Sequence, residues 1–240
     1  MSIGARTTDT PLVAGGAVAD RGIALVFRVL AALVIALGLA RSLDLFTAQP
    51  NWLAMLYFTQ LSNLLCLIWM VIAATGTARD LRARGRGGTS TPSARWAAAL
   101  MHAITVTMLI YIVVLVPTYD PSSGDDPPFT LTDTLVHVVT PCLIILDWLL
   151  FTPKGRIRWF DPLLWVLIPY AYLAFALIYG GFGGRFESGD TFAYPFLDVA
   201  TLGVGGVASW VAALTVALLA VAYVYVVIDK VLGRVFSREA

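Results

Sequence analysis

Long apolar runs separated by short polar segments dominate the pattern of this chain. Each run has about 20 residues or more, which is what an α-helix needs to cross a hydrocarbon core about 30 Å thick. The six runs are residues 22–43, 53–75, 95–117, 131–151, 161–180 and 199–229. We therefore predict an all-α membrane protein, a bundle of six transmembrane helices, numbered one to six in chain order.

The composition supports this prediction and excludes several other classes of protein. Hydrophobic residues make up 59% of the 240 residues and charged residues only 13%, whereas a soluble domain carries about a quarter charged residues. The net charge of +1 gives no reason to expect a nucleic-acid partner. The two cysteines lie within apolar runs rather than in loops, which excludes a disulfide framework or a cysteine-based metal site.

The loops alternate in charge, and this alternation predicts the orientation of the helices. Because cytoplasmic loops carry an excess of Lys and Arg, the basic loops after helices two and four are assigned to the cytoplasm. The loops after helices three and five are acidic or glycine-rich and are assigned to the outside. Both termini are then cytoplasmic, and we predict a multi-pass protein of the cell membrane. The basic residues of the two cytoplasmic loops are Arg79, Arg82, Arg84 and Arg86, and Lys154, Arg156 and Arg158.

The same pattern divides the chain into a membrane domain with two short tails. Residues 1–20 are rich in Gly, Ala and Thr and are predicted to be a disordered cytoplasmic tail. Residues 21–232 form the six-helix domain, and 233–240 form a second short tail. The longest loop, 181–198, is too short to build a soluble core. The chemistry of the protein is therefore expected in or beside the membrane.

Two polar side chains in the outer half of the bundle are predicted to meet. Thr59 and His137 each stand six residues after the assumed outer boundary of their helices, at a depth of roughly 9 Å. Asn63 shares the helix face of Thr59, and Ser62 lies beside it. An imidazole within reach of a hydroxyl can take its proton, so this pair could perform acyl transfer. The alternative is structural: Thr59 bonds its own helix backbone and His137 packs between helices.

The other ionisable groups of the apolar runs favour a structural interpretation. His102 is placed near the cytoplasmic boundary, where we expect it to form a polar cluster with Arg28 and Asp147. Its axial distance from His137, roughly 10 Å, is too large for the two rings to bind one haem iron. The two lysines flank helices, so no mid-membrane lysine is present for a retinal Schiff base. We expect no metal and no cofactor.

Three short motifs occur in an order that resembles the androgen-induced protein family. This family, which includes the androgen-dependent regulator of tissue factor pathway inhibitor, consists of multi-spanning proteins with bacterial relatives. Its animal members are threonine hydrolases that cleave fatty acid esters of hydroxy fatty acids with an intramembrane Thr and His. The motifs are Phe58-Thr59 with Ser62-Asn63, His137 ahead of Pro141, and Tyr194-Pro195-Phe196-Leu197-Asp198.

The resemblance implies that Thr59 is the nucleophile and His137 the base of a lipid ester hydrolase. Ser62, Asn63, Tyr194 and Asp198 are then assigned to substrate binding and support of the site. Asn63 would hold the oxyanion or orient His137, and Asp198 would shape the mouth of the pocket. In the animal members the His lies one residue further from the proline than in this chain, a difference that a local bulge in helix four would absorb.

The expected partner is a lipid ester that diffuses in from the bilayer. No nucleic-acid partner is expected. The sequence does not predict the oligomeric state. A non-catalytic lipid-binding or transport protein would use the same polar residues to bind a head group. A purely structural membrane partner is the third alternative. Reaction with a fluorophosphonate at Thr59 distinguishes an enzyme from a carrier.

Overall fold

The structure, a computed structural model, describes residues 13–14, 17–122 and 127–236. Six of its helices are long and apolar enough to cross a membrane, which confirms the predicted all-α six-helix bundle and a multi-pass membrane protein. An even number of spans brings the two ends of the domain to the same side of the bundle. The spans are α1 (Arg21–Ser42), α2 (Phe58–Arg84), α3 (Ala94–Thr118), α4 (Leu131–Phe151), α5 (Asp161–Gly181) and α6 (Val199–Phe236).

The start of α2 differs from the prediction. Trp52–Leu56 forms a 3-10 helix and Tyr57 is extended, so α2 begins at Phe58 rather than at residue 53. This places Thr59 in the first turn of its helix. At its other end α2 runs through the arginine-rich segment to Arg84 because basic side chains stabilise the negative end of a helix dipole.

Two spans contain π-helical turns, and each turn precedes a proline. In α3 the regular helix Ala94–Ile110 is followed by a π turn, Tyr111–Leu115, and a 3-10 turn, Val116–Thr118. In α4 the π turn Leu135–Val139 separates Leu131–Thr134 from Thr140–Phe151. A proline lacks an N–H and its ring clashes with the carbonyl four residues earlier. The prolines are Pro117 and Pro141, so the affected carbonyls belong to Val113 and His137, which both lie inside the π turns.

The last two spans are also interrupted. α5 consists of Asp161–Trp165 and Leu167–Gly181, joined at Val166. Near the start of α6, Gly203 has φ +66° and ψ 169°, which breaks the helical path. A residue without a Cβ adopts this conformation at no steric cost. The short 3-10 turn Pro195–Leu197 precedes α6.

The predicted tails fall largely outside the described residues. Val13–Ala14 (β1) pairs with Ala17–Val18 (β2) in a small antiparallel hairpin, and residues 1–12 and 15–16 are outside, so disorder of this tail stays a prediction. The Asp20 carboxylate caps α1 by accepting hydrogen bonds from the amides of Gly22 and Ile23. α6 continues to Phe236, into the predicted second tail, and residues 237–240 are outside.

A buried ion pair joins α1 to α4 near one end of the bundle. We call this the basic end; it carries loops 85–93 and 152–160, and the opposite end is the distal end. The Arg28 guanidinium is fully buried, and its Nε lies 2.7 Å from Asp147 Oδ1. The same guanidinium donates to the hydroxyls of Thr77 and Thr91 and to the carbonyl of Ser90. All its nitrogens therefore have acceptors, which a buried guanidinium requires.

His102 does not join this cluster, contrary to the prediction. Its ring is completely buried, and neither nitrogen has a hydrogen-bond partner among the described residues. The ring lies 5.8 Å from that of Trp165, centroid to centroid. Depth along the helix was estimated correctly for Arg28 and Asp147, but His102 faces a different side of α3.

Candidate functional site

Thr59 and His137 meet at the distal end of the bundle. Thr59 Oγ1 lies 3.2 Å from His137 Nε2, and the two residues are 7% and 9% exposed. This confirms the predicted proximity, although Thr59 reaches the contact from the first turn of α2. A hydroxyl at this distance is within hydrogen-bond reach of the imidazole.

The contacts of the other ring nitrogen determine which tautomer His137 adopts. His137 Nδ1 lies 3.2 Å from the backbone carbonyl of Asp133, one helical turn earlier. Because a carbonyl only accepts, Nδ1 must carry the proton of the neutral ring, and the lone pair of Nε2 is left facing Thr59. The Asp133 carboxylate is also near Nδ1, at 3.7 Å. Tyr111 stacks on the imidazole with a centroid distance of 4.0 Å and an interplanar angle of 8°.

The π turn that carries His137 leaves one backbone carbonyl without a helical donor. In a regular helix the amide of Thr140 would bond to Val136, but here it bonds to Leu135. The next residue, Pro141, has no N–H to offer. The orphaned carbonyl of Val136 instead accepts a hydrogen bond from Asn63 Nδ2 at 3.0 Å. The distortion of α4 is therefore stabilised by a side chain of α2.

Asn63 and Ser62 hold the first turn of α2 rather than facing the cavity. Asn63 Nδ2 also donates to the carbonyl of Thr59 at 2.8 Å, and Ser62 Oγ donates to the same carbonyl at 3.0 Å. Ser62 Oγ lies 2.8 Å from Thr107 Oγ1, which links α2 to α3. Neither Ser62 nor Asn63 lines the cavity described below. Of the two roles predicted for Asn63, this geometry favours orienting His137.

Alanine at Asn63 is expected to lower the free energy of unfolding by about 1–3 kcal/mol because it leaves the buried Val136 carbonyl without a donor. Reversible unfolding in detergent measures this change. Thr75→Ala is the matched control, since Thr75 also donates to a carbonyl of α2 but is exposed. We expect the control to change stability by at most about 0.5 kcal/mol. Equal losses in the two variants would contradict this role for Asn63.

Tyr194 reaches the Thr59 hydroxyl from the loop before α6. Burial raises the pKa of the Tyr194 phenol to about 12, while contacts with the Thr59 hydroxyl and with the amides of Phe58 and Thr59 act in the opposite direction. The phenol is therefore protonated at neutral pH and can donate a hydrogen bond. Its partial exposure is to the cavity, which it helps to line. The nearby Tyr172 hydroxyl donates to the carbonyl of Leu56 at 3.1 Å.

An apolar cavity opens beside the Thr59–His137 contact. It encloses about 760 Å³, counting the space at its open mouth, and lies between α2, α3, α5 and α6. Its polar lining includes Thr59, His137, Thr107 and Tyr194. A pocket that is mostly apolar with a few convergent polar groups is typical of small-molecule sites. Apolar side chains that line it include Val106, Ile110, Leu173, Val211, Leu214 and Leu218.

Asp198 lies outside this cavity and caps the start of α6. Its Oδ1 accepts hydrogen bonds from the amides of Ala200 and Thr201 at 2.9 and 3.2 Å. The Thr201 hydroxyl, together with these amides, holds the pKa of the Asp198 carboxyl below its usual value. Phe196 and Leu197, earlier in the same motif, do line the cavity. Asp198 thus acts on the cavity only by fixing where the chain turns into α6.

Sequence reasoning missed three residues of this site. Asp133 was detectable, because it stands one helical turn before His137 and so shares its face of α4. Tyr111 was not singled out, because the π turn that starts at this residue gave no sequence signal. Thr107 could not be distinguished from other threonines of membrane helices, which commonly bond their own backbone.

Comparisons with models of known protein families, with curated proteins and with solved structures find no match to this chain.

Proposed function

We propose that this protein is an intramembrane lipid ester hydrolase in which Thr59 is the nucleophile and His137 the general base. The observation that carries the proposal is the 3.2 Å contact between Thr59 Oγ1 and His137 Nε2 at the wall of an apolar cavity. The resemblance of the motifs to the androgen-induced protein family supports it. Fatty acid esters of hydroxy fatty acids, or similar esters, are the proposed substrates.

In the first half of the reaction, Thr59 Oγ1 attacks the ester carbonyl carbon while His137 Nε2 takes the hydroxyl proton. The imidazolium that forms lies 3.7 Å from the Asp133 carboxylate, whose negative charge favours it. Collapse of the tetrahedral intermediate breaks the bond to the alcohol oxygen, which receives the proton from Nε2. The alcohol leaves, and the acyl group stays on Thr59.

The developing oxyanion has two sources of stabilisation near Thr59. One is the Tyr194 phenol, which lies beside the Thr59 hydroxyl and is protonated at neutral pH. The other is the first turn of α2, whose Phe58 and Thr59 amides have no acceptor within the helix and contact the Tyr194 phenol. Helix N-termini favour negative charge, so both groups stabilise an anion more than a neutral carbonyl.

In the second half, water attacks the acyl carbon while His137 Nε2 takes a proton from it. The fatty acid is released, and the Thr59 oxygen recovers its proton from the imidazolium. An apolar site strengthens each of these electrostatic contacts because little water screens them. An ester reaches such a site by lateral diffusion within the bilayer.

A non-catalytic lipid-binding or transport protein is the second candidate. The cavity walls are mainly aliphatic and aromatic, and such walls would hold an acyl chain whether or not a reaction follows. In that case Thr59 and His137 would bind a polar head group. A lipid-binding protein forms no covalent intermediate, so covalent labelling of Thr59 distinguishes it from a hydrolase.

Labelling of the purified full-length protein with a fluorescent fluorophosphonate tests the proposal. The probe phosphonylates an activated hydroxyl with loss of fluoride, so we expect label on Thr59, located by mass spectrometry of peptides. Thr59→Ala and His137→Ala should each abolish labelling, because the first removes the oxygen and the second removes its base.

Thr75→Ala is the control for this experiment, since Thr75 lies on α2 but is exposed and outside the cavity. It should label like the unchanged protein. Label that persists in Thr59→Ala, or none in the unchanged protein, would exclude the hydrolase and leave the lipid-binding candidate. Circular dichroism confirms that each variant is folded.

A further inference from the structure

A second concavity opens on the lipid-facing side of the bundle, and neither Thr59 nor His137 lines it. This groove runs between α2, the start of α3 and α5, and it encloses about 1750 Å³ including its open side. It adjoins the first cavity at Phe58 and Tyr172, whose rings line both spaces. Its long walls are apolar and include Leu61, Leu64, Leu65, Leu164, Leu167 and Phe175.

The groove has a polar end, formed at the basic end of the bundle. Arg95 Nε lies 2.9 Å from Asp161 Oδ2, and both residues line the groove. Asp161 is buried, whereas the Arg95 side chain is 39% exposed. The backbone amide of Arg158 also donates to Asp161. The Arg158 guanidinium is exposed and lies beside the groove without lining it. It makes no hydrogen bond or ion pair with another residue in the described part of the chain.

The charges at this end favour an anion. Two guanidiniums, those of Arg95 and Arg158, stand around the single carboxylate of Asp161. Because Asp161 neutralises only one of the two guanidiniums, these three side chains together keep a net positive charge. Both guanidiniums lie over the ring of Phe160, at 5.5 and 5.7 Å from its centroid. Phe160 is therefore a neighbour of both guanidiniums.

The groove is longer than the hydrocarbon of one leaflet of a bilayer. Exposed Trp96 and Trp159 stand at its polar end, and exposed tryptophans mark the level of lipid head groups. From Asp161 to Phe175 the α5 wall extends about 21 Å at 1.5 Å per residue. Half of a hydrocarbon core is about 15 Å. The groove is therefore long enough for an acyl chain whose head group lies at the tryptophan level.

We propose that this groove binds an anionic phospholipid from the leaflet at the basic end of the bundle. The phosphate lies between Arg95 and Arg158, and an acyl chain lies along the groove toward Phe58. Charge complementarity selects the head group, and the apolar walls accept the chain. The site does not depend on hydrolysis at Thr59, so it stands whether or not the protein is an enzyme.

Native mass spectrometry of the full-length protein in detergent tests the proposal. The probes are phosphatidylglycerol and phosphatidylcholine with the same palmitoyl and oleoyl chains, titrated separately. A basic residue near an anionic lipid contributes about a fivefold preference, so we expect phosphatidylglycerol to bind about fivefold more tightly. Arg158→Ala should remove this preference and leave phosphatidylcholine binding unchanged. Ala171→Trp, which fills the groove, should weaken binding of both lipids.

Each variant has a matched control. Arg82→Ala removes another exposed arginine of the basic end, and Ala174→Trp adds the same bulk one turn further along α5, outside the groove. Both should bind the two lipids like the unchanged protein. Arg158 and Ala171 are exposed, so their variants are expected to fold. The proposal is wrong if the unchanged protein binds both lipids equally, or if either test variant retains its full phosphatidylglycerol affinity.

Discussion

Alanine at His137 is expected to lower the rate of ester hydrolysis by about 10²–10⁴-fold. The reason is geometric: Nδ1 is committed to the Asp133 carbonyl, so Nε2 is the acceptor that faces the Thr59 hydroxyl. Without the ring, no other base among the described residues contacts that hydroxyl. Turnover of a long-chain 4-methylumbelliferyl ester in detergent micelles measures the loss.

Two further variants make this result specific. Asp133→Asn removes the charge near Nδ1 but keeps the backbone carbonyl, so we expect a smaller loss of about tenfold, equivalent to about 1.4 kcal/mol. The protein has two histidines, and His102→Gln is the matched control because His102 lies outside the cavity. The control should retain the activity of the unchanged protein. More than a tenth of the activity remaining in His137→Ala would contradict its role as the base.

Alanine at Arg28 is expected to destabilise the bundle by about 3–5 kcal/mol, the usual cost of removing one partner from a buried ion pair. The variant leaves the Asp147 carboxylate, with a side chain only 2% exposed, without its guanidinium. It also removes a donor to Thr77 and Thr91, so α1, α2 and α4 lose their common link. Unfolding in mixed micelles of increasing denaturing detergent measures the change in free energy.

The matched double variant separates charge from packing. Arg28→Met combined with Asp147→Leu removes both charges at similar volume, and we expect it to recover most of the lost stability. At the exposed pair of Arg84 and Asp80, Arg84→Ala should change stability by less than about 1 kcal/mol. If Arg28→Ala is no worse than Arg84→Ala, the buried pair does not stabilise the fold.

Much of the fold followed from the apolar runs, because a bilayer imposes a length on every spanning helix. The six spans were found near their observed positions, and the start of α5 was predicted at Asp161. The proximity of Thr59 and His137 was also predicted from depth, although the five residues before Phe58 that were counted as helix do not belong to α2. Depth is readable from a sequence because the helix rise is constant.

Other features of the site depended on rotation about helix axes and on local distortion. His102 was predicted to lie beside Arg28 because the two were placed at the same depth. A single sequence does not show which side of α3 is turned toward Arg28. Asn63 was placed near Thr59, yet its contact with the Val136 carbonyl exists only because the π turn and Pro141 leave that carbonyl without a donor. The offset of His137 from Pro141 indicated a local bulge in helix four, and the π turn is found there. That Asn63 would be its partner could not be predicted from residue spacing.

The sequence by itself determined the number of spans, their approximate ends and the depth at which polar side chains lie, because these depend on local hydrophobicity and a fixed rise per residue. Only the tertiary structure decided that Thr59 stands in a first helical turn, that Tyr111 stacks on His137, and that Asp198 caps α6 rather than lining the cavity. These features depend on how neighbouring helices satisfy each other's backbone groups in an apolar environment, where an unpaired carbonyl or amide is costly.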